Sequence, residues 1–559
     1  MVLEAHIPPT RQMAPVTIVT PGSRGLNTLS AGALIDKSYA VTATNAVVDA
    51  NGRLATRNGF TLAGLTTNAT TYTVGEYNAG NGVYYFVTAA LQGSVGSQTW
   101  SYSLYPYSGT SPTNSSLTAT TSAQNNTGRP YFQNFNNRLV IFNRGGYPTD
   151  LYISGGVPLI TSYGAWPVTS GVGCCAFGRV WSVSLSDEQT ITYSGLLNIN
   201  DVSSSDAGII DMHTIWSNGT DRVTAIFPFN GALVVCGTKH IVMFTDGRGS
   251  TIGVDPTQMY VFDTILGTGC LSQWTVDYIG QGDVLFLSSN GVQSLARLTQ
   301  NTSNPTEALT KYVNPQLLTQ LAANVNYSTS YVVPNQMPYV PISGSYNNLT
   351  GQYLLHLPAN SSSYCVNMRR QYPDDTNNLC GVVTLWSYST AFGPLLHSIT
   401  DHYQNVLGVN GNGTPVILSG YADAGNTYGF VYQSPWFDFS QFEGTQAGER
   451  LKLLKRIRGI LAASGTPSIA LQWNTDFGTI PSSTSVSFAA SANLTQFGIS
   501  QFGSNSSPLS QFGGGSALQQ FSYDARARGQ YYQMGITATV SNYFAIQQLQ
   551  LDTKLGRIT

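Results

Sequence analysis

From about residue 80 to 425 one pattern recurs: a polar turn holding Gly or Asn, a short run of apolar and β-branched residues, then another turn. It is legible in GNGVYYFVTA (80–89), NNRLVIFNRGG (136–146), FGRVWSVSLS (177–186), NGALVVCGTKHIVMFTDG (230–247), QGDVLFLSSNGVQSLARL (281–298), GQYLLHLP (351–358) and GTPVILSG (413–420). The three central steps cluster around 40 to 50 residues, the size of a four-stranded propeller blade. A single blade cannot bury both faces, so such units stack, and closing the ring removes exposed sheet edges.

The expectation is an all-β chain with little helix. Its main body, 61–429, is β-propeller-like with about six or seven degenerate blades. One segment there breaks the rhythm: TEALTKYVNPQLLTQLAANV (306–325) spaces Leu309, Leu317, Leu318 and Leu321 as a helix would, which predicts a short helical insertion. Residues 1–60 are read as an N-terminal arm with the first strands. Residues 430–559 alternate apolar and polar positions over strand lengths and are read as a C-terminal β-sandwich-like domain.

Charged residues are only 9% of the 559, while 42% are apolar and the net charge is −2. Disorder combines low hydrophobicity with high net charge, so this composition argues for a folded chain. Neutral polar surfaces are cheaper to desolvate than ionic ones, which suits permanent packing of subunits and points to a homo-oligomer. No signal-peptide core opens the chain and no run of 18 apolar residues occurs, so synthesis in a cytoplasm and no membrane-spanning segment are expected.

The phosphate-cradling loop, the zinc helix, the nucleophile elbow and the dinucleotide fingerprint are all absent. His397, Asp401 and His402 form a histidine and acid grouping close in sequence, and the ordinary reading is structural. Asp201, Asp206 and Asp211 lack calcium-loop spacing and read as caps and turns. Six cysteines show no metal-ligand spacing; a Cys365 to Cys380 disulfide is conceivable. No catalytic residue, cofactor or metal is therefore expected, and the chain is read as a non-enzyme.

Two features remain. Residues 449–458, ERLKLLKRIR, would as a strand place Arg450, Lys452, Arg456 and Arg458 on one face and Leu451, Leu453 and Ile457 on the other, a candidate face for a partner or interface; a helix is the rival assignment. Residues 493–521 set Phe497, Phe502, Phe512 and Phe521 at spacings that fit neither helix nor strand, on a tether of Gly, Ser and Asn. That loop is a candidate channel constriction or docking element, or a set of anchors on its own domain or a neighbouring subunit.

GSRGLNTLSAGALIDKSYAVTATNAVVDANGRLATRNGF (22–60) resembles the opening of tail nozzle proteins of short-tailed bacteriophages, the tail tubular protein B and packaged-DNA stabilisation group. The match runs through Gly52-Arg53-Leu54 and Arg57-Asn58-Gly59-Phe60. DRVTAIFPFNGALVVCGTKHIVMFTDG (221–247), GCLSQWTVDYIGQGDVLFLSSNGVQSL (269–295) and PWFDFSQFEGTQAGERLKLLKRIRGI (435–460) are similar to later segments of that group, in order. The resemblance implies a structural virion protein, usually a hexameric ring, below the head–tail adaptor. Such a ring retains the packaged genome and gives it a conduit during ejection. Its implied partners are further copies of itself, the adaptor, tail fibre, spike or needle proteins and, transiently, double-stranded DNA. A near-neutral chain suits a lumen through which DNA must slide. The alternatives are a carbohydrate-binding or carbohydrate-cleaving β protein, such as a tailspike or propeller glycosidase, and a β-rich capsid decoration or adhesin protein.

Overall fold

A computed structural model describes residues 13–67, 70–80, 82–92, 99–120, 128–216, 219, 221–246, 258–280, 282–300, 308–324, 342–374, 378–439, 451–464, 467–479, 481–487 and 517–555. The chain divides into two compact units. One comprises 60–381 with 387–419; the other gathers 1–59, 382–386 and 420–559.

The first unit is a β-propeller. Blade 1 consists of Thr71–Asn78, Tyr84–Gln92, Thr99–Ser108 and Leu117–Thr120; blade 2 of Tyr131–Phe135, Arg138–Phe142, Thr149–Ser154 and Val157–Ser162. Blade 3 consists of Thr169–Ala176, Arg179–Ser184, Thr190–Tyr193 and Gly208–Asp211; blade 4 of Ala225–Phe229, Ala232–Cys236, His240–Thr245 and Tyr260–Leu266. A three-stranded sheet follows (Asp277–Ile279, Asp283–Ser288, Gly291–Ser294), with the helix Leu295–Gln300 against it. Blade 5 begins with Ser343–Asn347, Gln352–Leu357 and Ser362–Pro373 and ends in Leu379–Ser387. Blade 6 takes Leu395–Thr400, Val406–Asn410 and Pro415–Leu418 and receives its outer strand from Phe60–Leu62, so an early segment closes the last sheet. The first strands of blades 1 to 4 neighbour one another in order, as do those of the three-stranded sheet, blade 5 and blade 6, and that of blade 6 returns to that of blade 1.

Local sequence explains the hairpins. In blades 2, 3 and 4 the first two strands are joined by two residues, both with left-handed backbone: Asn136-Asn137, Phe177-Gly178 and Asn230-Gly231. Such turns match the twist of paired strands and favour Asn and Gly. The core lies between blades rather than at one centre. Trp181, Ile191, Val235 and Val242 pack between blades 3 and 4, while Val87, Leu104, Ile141 and Leu407 join blades 1, 2 and 6. Gly75, on the inner strand of blade 1, sits where any Cβ would collide with the Phe132 ring of blade 2.

The predicted helical insertion is present as the 3₁₀ turn Lys311–Val313 followed by the helix Asn314–Asn324, which buries Leu317 and Leu321 and exposes Leu318. No disulfide joins any of the six cysteines, so Cys365 and Cys380 are not bridged.

The second unit has two sheets facing each other. In one, Ala46–Val48, Leu54–Thr56, Phe544–Leu555, Lys452–Ala463 and Ala517–Tyr523 lie in that order, with Met13–Val19 also pairing Phe544–Leu555. The other holds Thr42–Thr44, Tyr428–Gln433, Tyr532–Val540, Ser468–Thr475 and Ser482–Ser487. Phe430 meets Phe544, and Trp473 meets Tyr523, across the gap. Met13–Val19, Thr42–Thr44, Ala46–Val48 and Leu54–Thr56 thus belong to this sandwich.

The Arg57-Asn58-Gly59 motif has a structural role in this unit. Arg57 is fully buried, with its guanidinium bidentate on Asp423 at 2.9 and 2.5 Å. Its Nε donates to Asn45 Oδ1 at 3.0 Å, and the Tyr428 ring lies 4.0 Å beneath it. Gly59 is required because a Cβ there would strike the backbone of Ala422.

Candidate functional site

The hub of the propeller is built around Trp274. It stands in the 3₁₀ turn Gln273–Thr275, capped by Ser272, whose side chain accepts from the Trp274 N–H. Gln273 anchors that turn to the inner strand of blade 4, accepting from Ile226 N at 2.7 Å and donating to Ile226 O at 3.1 Å. On one side of Trp274 lies a cavity of about 390 Å³ lined by residues from several blades, among them Glu76, Tyr131, Asp277, Tyr346 and His397. It contains two carboxylates and no lysine or arginine.

Burial pushes the Asp277 carboxyl up to about 6, against the opposing pull of the Tyr346 and Tyr278 backbone N–H groups that it accepts at 2.6 and 2.8 Å. The Tyr131 hydroxyl accepts from Gln133 at 2.9 Å and Gln273 at 3.4 Å, so its own proton can point into the cavity. His397 meets Trp274 edge to face, and burial holds it far below the usual histidine range. Chemically, the cavity offers acceptors, aromatic walls and a neutral imidazole, which suits a polar or cationic guest.

The histidine and acid grouping does not converge. His397 turns into the hub. His402 pairs with Glu76 between the rings of Tyr84 and Tyr403, and Asp401 accepts from Tyr107 and Asn405. Asp201 and Asp211 take the turn and cap roles expected, and Asp206 holds Arg179 at 2.7 Å and the Leu196 N–H. Among the described residues no group of three or more metal-ligating side chains converges.

The basic segment is a strand, Lys452–Ala463, but its cations do not share a face. The register shifts between Leu454 and Arg456, a bulge at Lys455 that flips the alternation. Lys452 is therefore buried with Leu454 and Ile457, its Nζ donating to Gln530 O at 3.1 Å. Arg456 and Arg458 lie on the other side, paired with Asp524 and Asp552. Arg450 lies outside the described residues, as do Phe497, Phe502 and Phe512. Phe521 is described: it is buried in the strand Ala517–Tyr523, packed against Gly459 of the neighbouring strand, an anchor on its own domain.

Sequence reasoning missed the rim. The outermost strands of blades 2, 3 and 4 expose large apolar side chains: Val157 and Leu159, then Ile209 at 66%, then Tyr260, Val261, Phe262 at 52% and Leu266. Among the described residues each of these strands is paired on one side only. Only Asp211 and Asp263 carry charge in them, so the usual charged protection of an exposed edge is thin. The run Tyr260–Val261–Phe262 reads as buried strand in one dimension, because hydropathy does not distinguish a core from an interface.

No protein-family model and no curated protein matches this chain. Among solved structures it is similar to the β-propeller domain of Cps50 (Swd1) from Myceliophteria thermophila. The identity is 9% and the TM-score 0.38, over 63% of this chain and 98% of that one. It is also similar to Sqt1 from Chaetomium thermophilum, at 8% identity and a TM-score of 0.37, over 65% and 99% of the two chains.

Proposed function

We propose that this chain is a structural, non-enzymatic subunit of a virion tail, the nozzle ring beneath the head–tail adaptor that retains packaged DNA and conducts it during ejection. The observation that carries the assembly half of this reading is the rim. Three consecutive blades present apolar, nearly uncharged outer strands, a surface suited to burial against further copies of the chain in a ring, six in the usual arrangement of the group it resembles. The tail assignment rests on the sequence resemblance around Gly52–Phe60. Low charge adds support, since subunits meeting through neutral surfaces avoid desolvating ions.

Electron cryo-microscopy of intact particles tests the reading: rings of this chain with a central channel are expected at the tail. A Tyr260→Lys and Phe262→Lys double variant should assemble poorly while the full chain remains folded, as circular dichroism would show. A wild-type chain that stays monomeric and never joins an adaptor complex would refute the proposal.

The hub cavity favours a second reading, a carbohydrate-binding or carbohydrate-cleaving β protein, because Tyr131, Trp274 and Tyr346 beside Glu76 and Asp277 suit sugar stacking and hydroxyl recognition. Inertness toward host surface glycans, in binding and in depolymerisation, would remove it.

A further inference from the structure

On the other side of Trp274 lies a second, smaller cavity of about 70 Å³, and its lining is of opposite character. Arg129 precedes blade 2, Arg144 follows its second strand, Arg222 precedes blade 4, and Glu188 comes from blade 3. Arg129 is only 2% exposed; it lies 4.0 Å over the Trp274 ring and donates to Leu396 O at 2.8 Å. Arg144 donates to Glu188 at 2.8 Å and to Ser170 O at 3.3 Å, and Arg222 reaches the other Glu188 oxygen at 3.7 Å. Three arginines and one glutamate line this space, a formal sum of +2.

An independent feature points to a guest. The Ser170 hydroxyl, on the inner strand of blade 3, is buried at 7% exposure, lines this cavity and has no hydrogen-bond partner among the described residues. A buried hydroxyl without a partner is costly, and a bound acceptor would satisfy it. The Gly171 N–H is not such a donor, because it is already taken by Thr169 Oγ1 at 3.0 Å.

We propose that this cavity binds a free tetrahedral oxyanion of the phosphate or sulfate class. Arg129, Arg144 and Arg222 supply the charge, and Ser170 donates to an oxygen of the ion. The guest ties together the inner ends of blades 2, 3 and 4 and the Trp274 turn. Sulfate carries −2, and phosphate, between −1 and −2 at neutral pH, can be drawn to its dianion by a lining of that positive sum. A phosphodiester or a peptide carboxylate carries a single negative charge, half of what the lining's formal +2 calls for.

The experiment is titration of the full chain with sodium phosphate, sodium sulfate, sodium chloride and dimethyl phosphate at matched ionic strength, followed by calorimetry and thermal melting. Phosphate or sulfate should bind saturably and raise the melting temperature, as any ligand of the native state does. Ser170→Ala and Arg144→Gln should each weaken that binding about tenfold, the size of a lost hydrogen bond to a charged group. Circular dichroism checks that the variants fold, and the wild-type titration decides the matter if Arg144→Gln does not. Absence of saturable binding overturns the proposal, as does affinity unchanged in Ser170→Ala. Equal binding of dimethyl phosphate overturns the assignment to a free ion.

Discussion

The two units of this protein both enclose arginine, and they do so in opposite ways. In the sandwich Arg57 is walled in by Asp423, Asn45, Tyr428 and Trp386, with its charge answered inside the cage. In the propeller hub Arg129, Arg144 and Arg222 surround empty volume with a single carboxylate among them. A filled cage is architecture, since removing Asp423 leaves a buried charge unanswered. A cage with volume at its centre leaves space where a guest of opposite charge fits.

The largest expected effect tests the filled cage. Asp423→Ala should cost about 3–5 kcal/mol by leaving Arg57 buried without its carboxylate, measured by denaturant unfolding. A loss under about 1 kcal/mol would mean that water enters and that the cage is not closed.

The next prediction concerns pH and belongs to the hub. Burial, and secondarily Arg129, pushes His356 down to about 3 and His397 far below its usual range. Unfolded histidine takes up its proton near 6.5, so below that pH the unfolded chain binds more protons and stability falls. Each histidine contributes about 1.4 kcal/mol per pH unit, so about 2 kcal/mol is lost per histidine at pH 5. Asp277 works in the other direction: its folded value of about 6 lies above the unfolded one, so acidification below pH 6 stabilises through it. Two histidines against one aspartate leave a net loss. His356→Gln should flatten the fall in stability between pH 6.5 and 5 by one proton, and Asp277→Asn should steepen it. A slope unchanged by His356→Gln would show that the imidazole is protonated in the fold.

Smaller effects complete the contrast. Without added phosphate, Arg144→Gln should lower stability by no more than about 1 kcal/mol, because its pair with Glu188 is partly exposed. Lys452→Met should shift unfolding by no more than about 1 kcal/mol either way, since the methionine fills a similar volume and removes a buried charge. A large loss there would place Lys452 among the filled cages.

The propeller was readable because its elements are local. Asn136-Asn137 and Asn230-Gly231 announce their turns, and the strands that they join lie next to one another in the chain. The parts that escaped reading depend on distance or on backbone geometry. Nothing in GFTL indicates that Phe60–Leu62 pairs with Val416–Leu418, and nothing near Met13 points to Lys554. The bulge at Lys455 is a single extra residue, yet it separates Lys452 from Arg456 and Arg458 and undoes the predicted basic face. The hub was hidden for the same reason: Glu76, Asp277 and Tyr346 are far apart in sequence and meet only because the first strands of separate sheets line one cavity. Of the Gln-Phe-Gly segment only Phe521 is described, and it is an anchor within its own sheet.

The strand Phe60–Leu62, which closes blade 6, has a consequence in time. It leaves the ribosome early and must wait, without its mate, until Pro415–Leu418 has been made, while Met13–Val19 waits still longer for Phe544–Leu555. At translation rates of about 5–20 residues per second the first of these delays is roughly 20 to 70 seconds. During it two short strands have open edges, so neither unit can finish folding until its latest-made strand arrives. A chain released before residue 418 would carry an open ring, and one released before residue 544 an open sandwich. Truncated products of either kind therefore lack one closed unit.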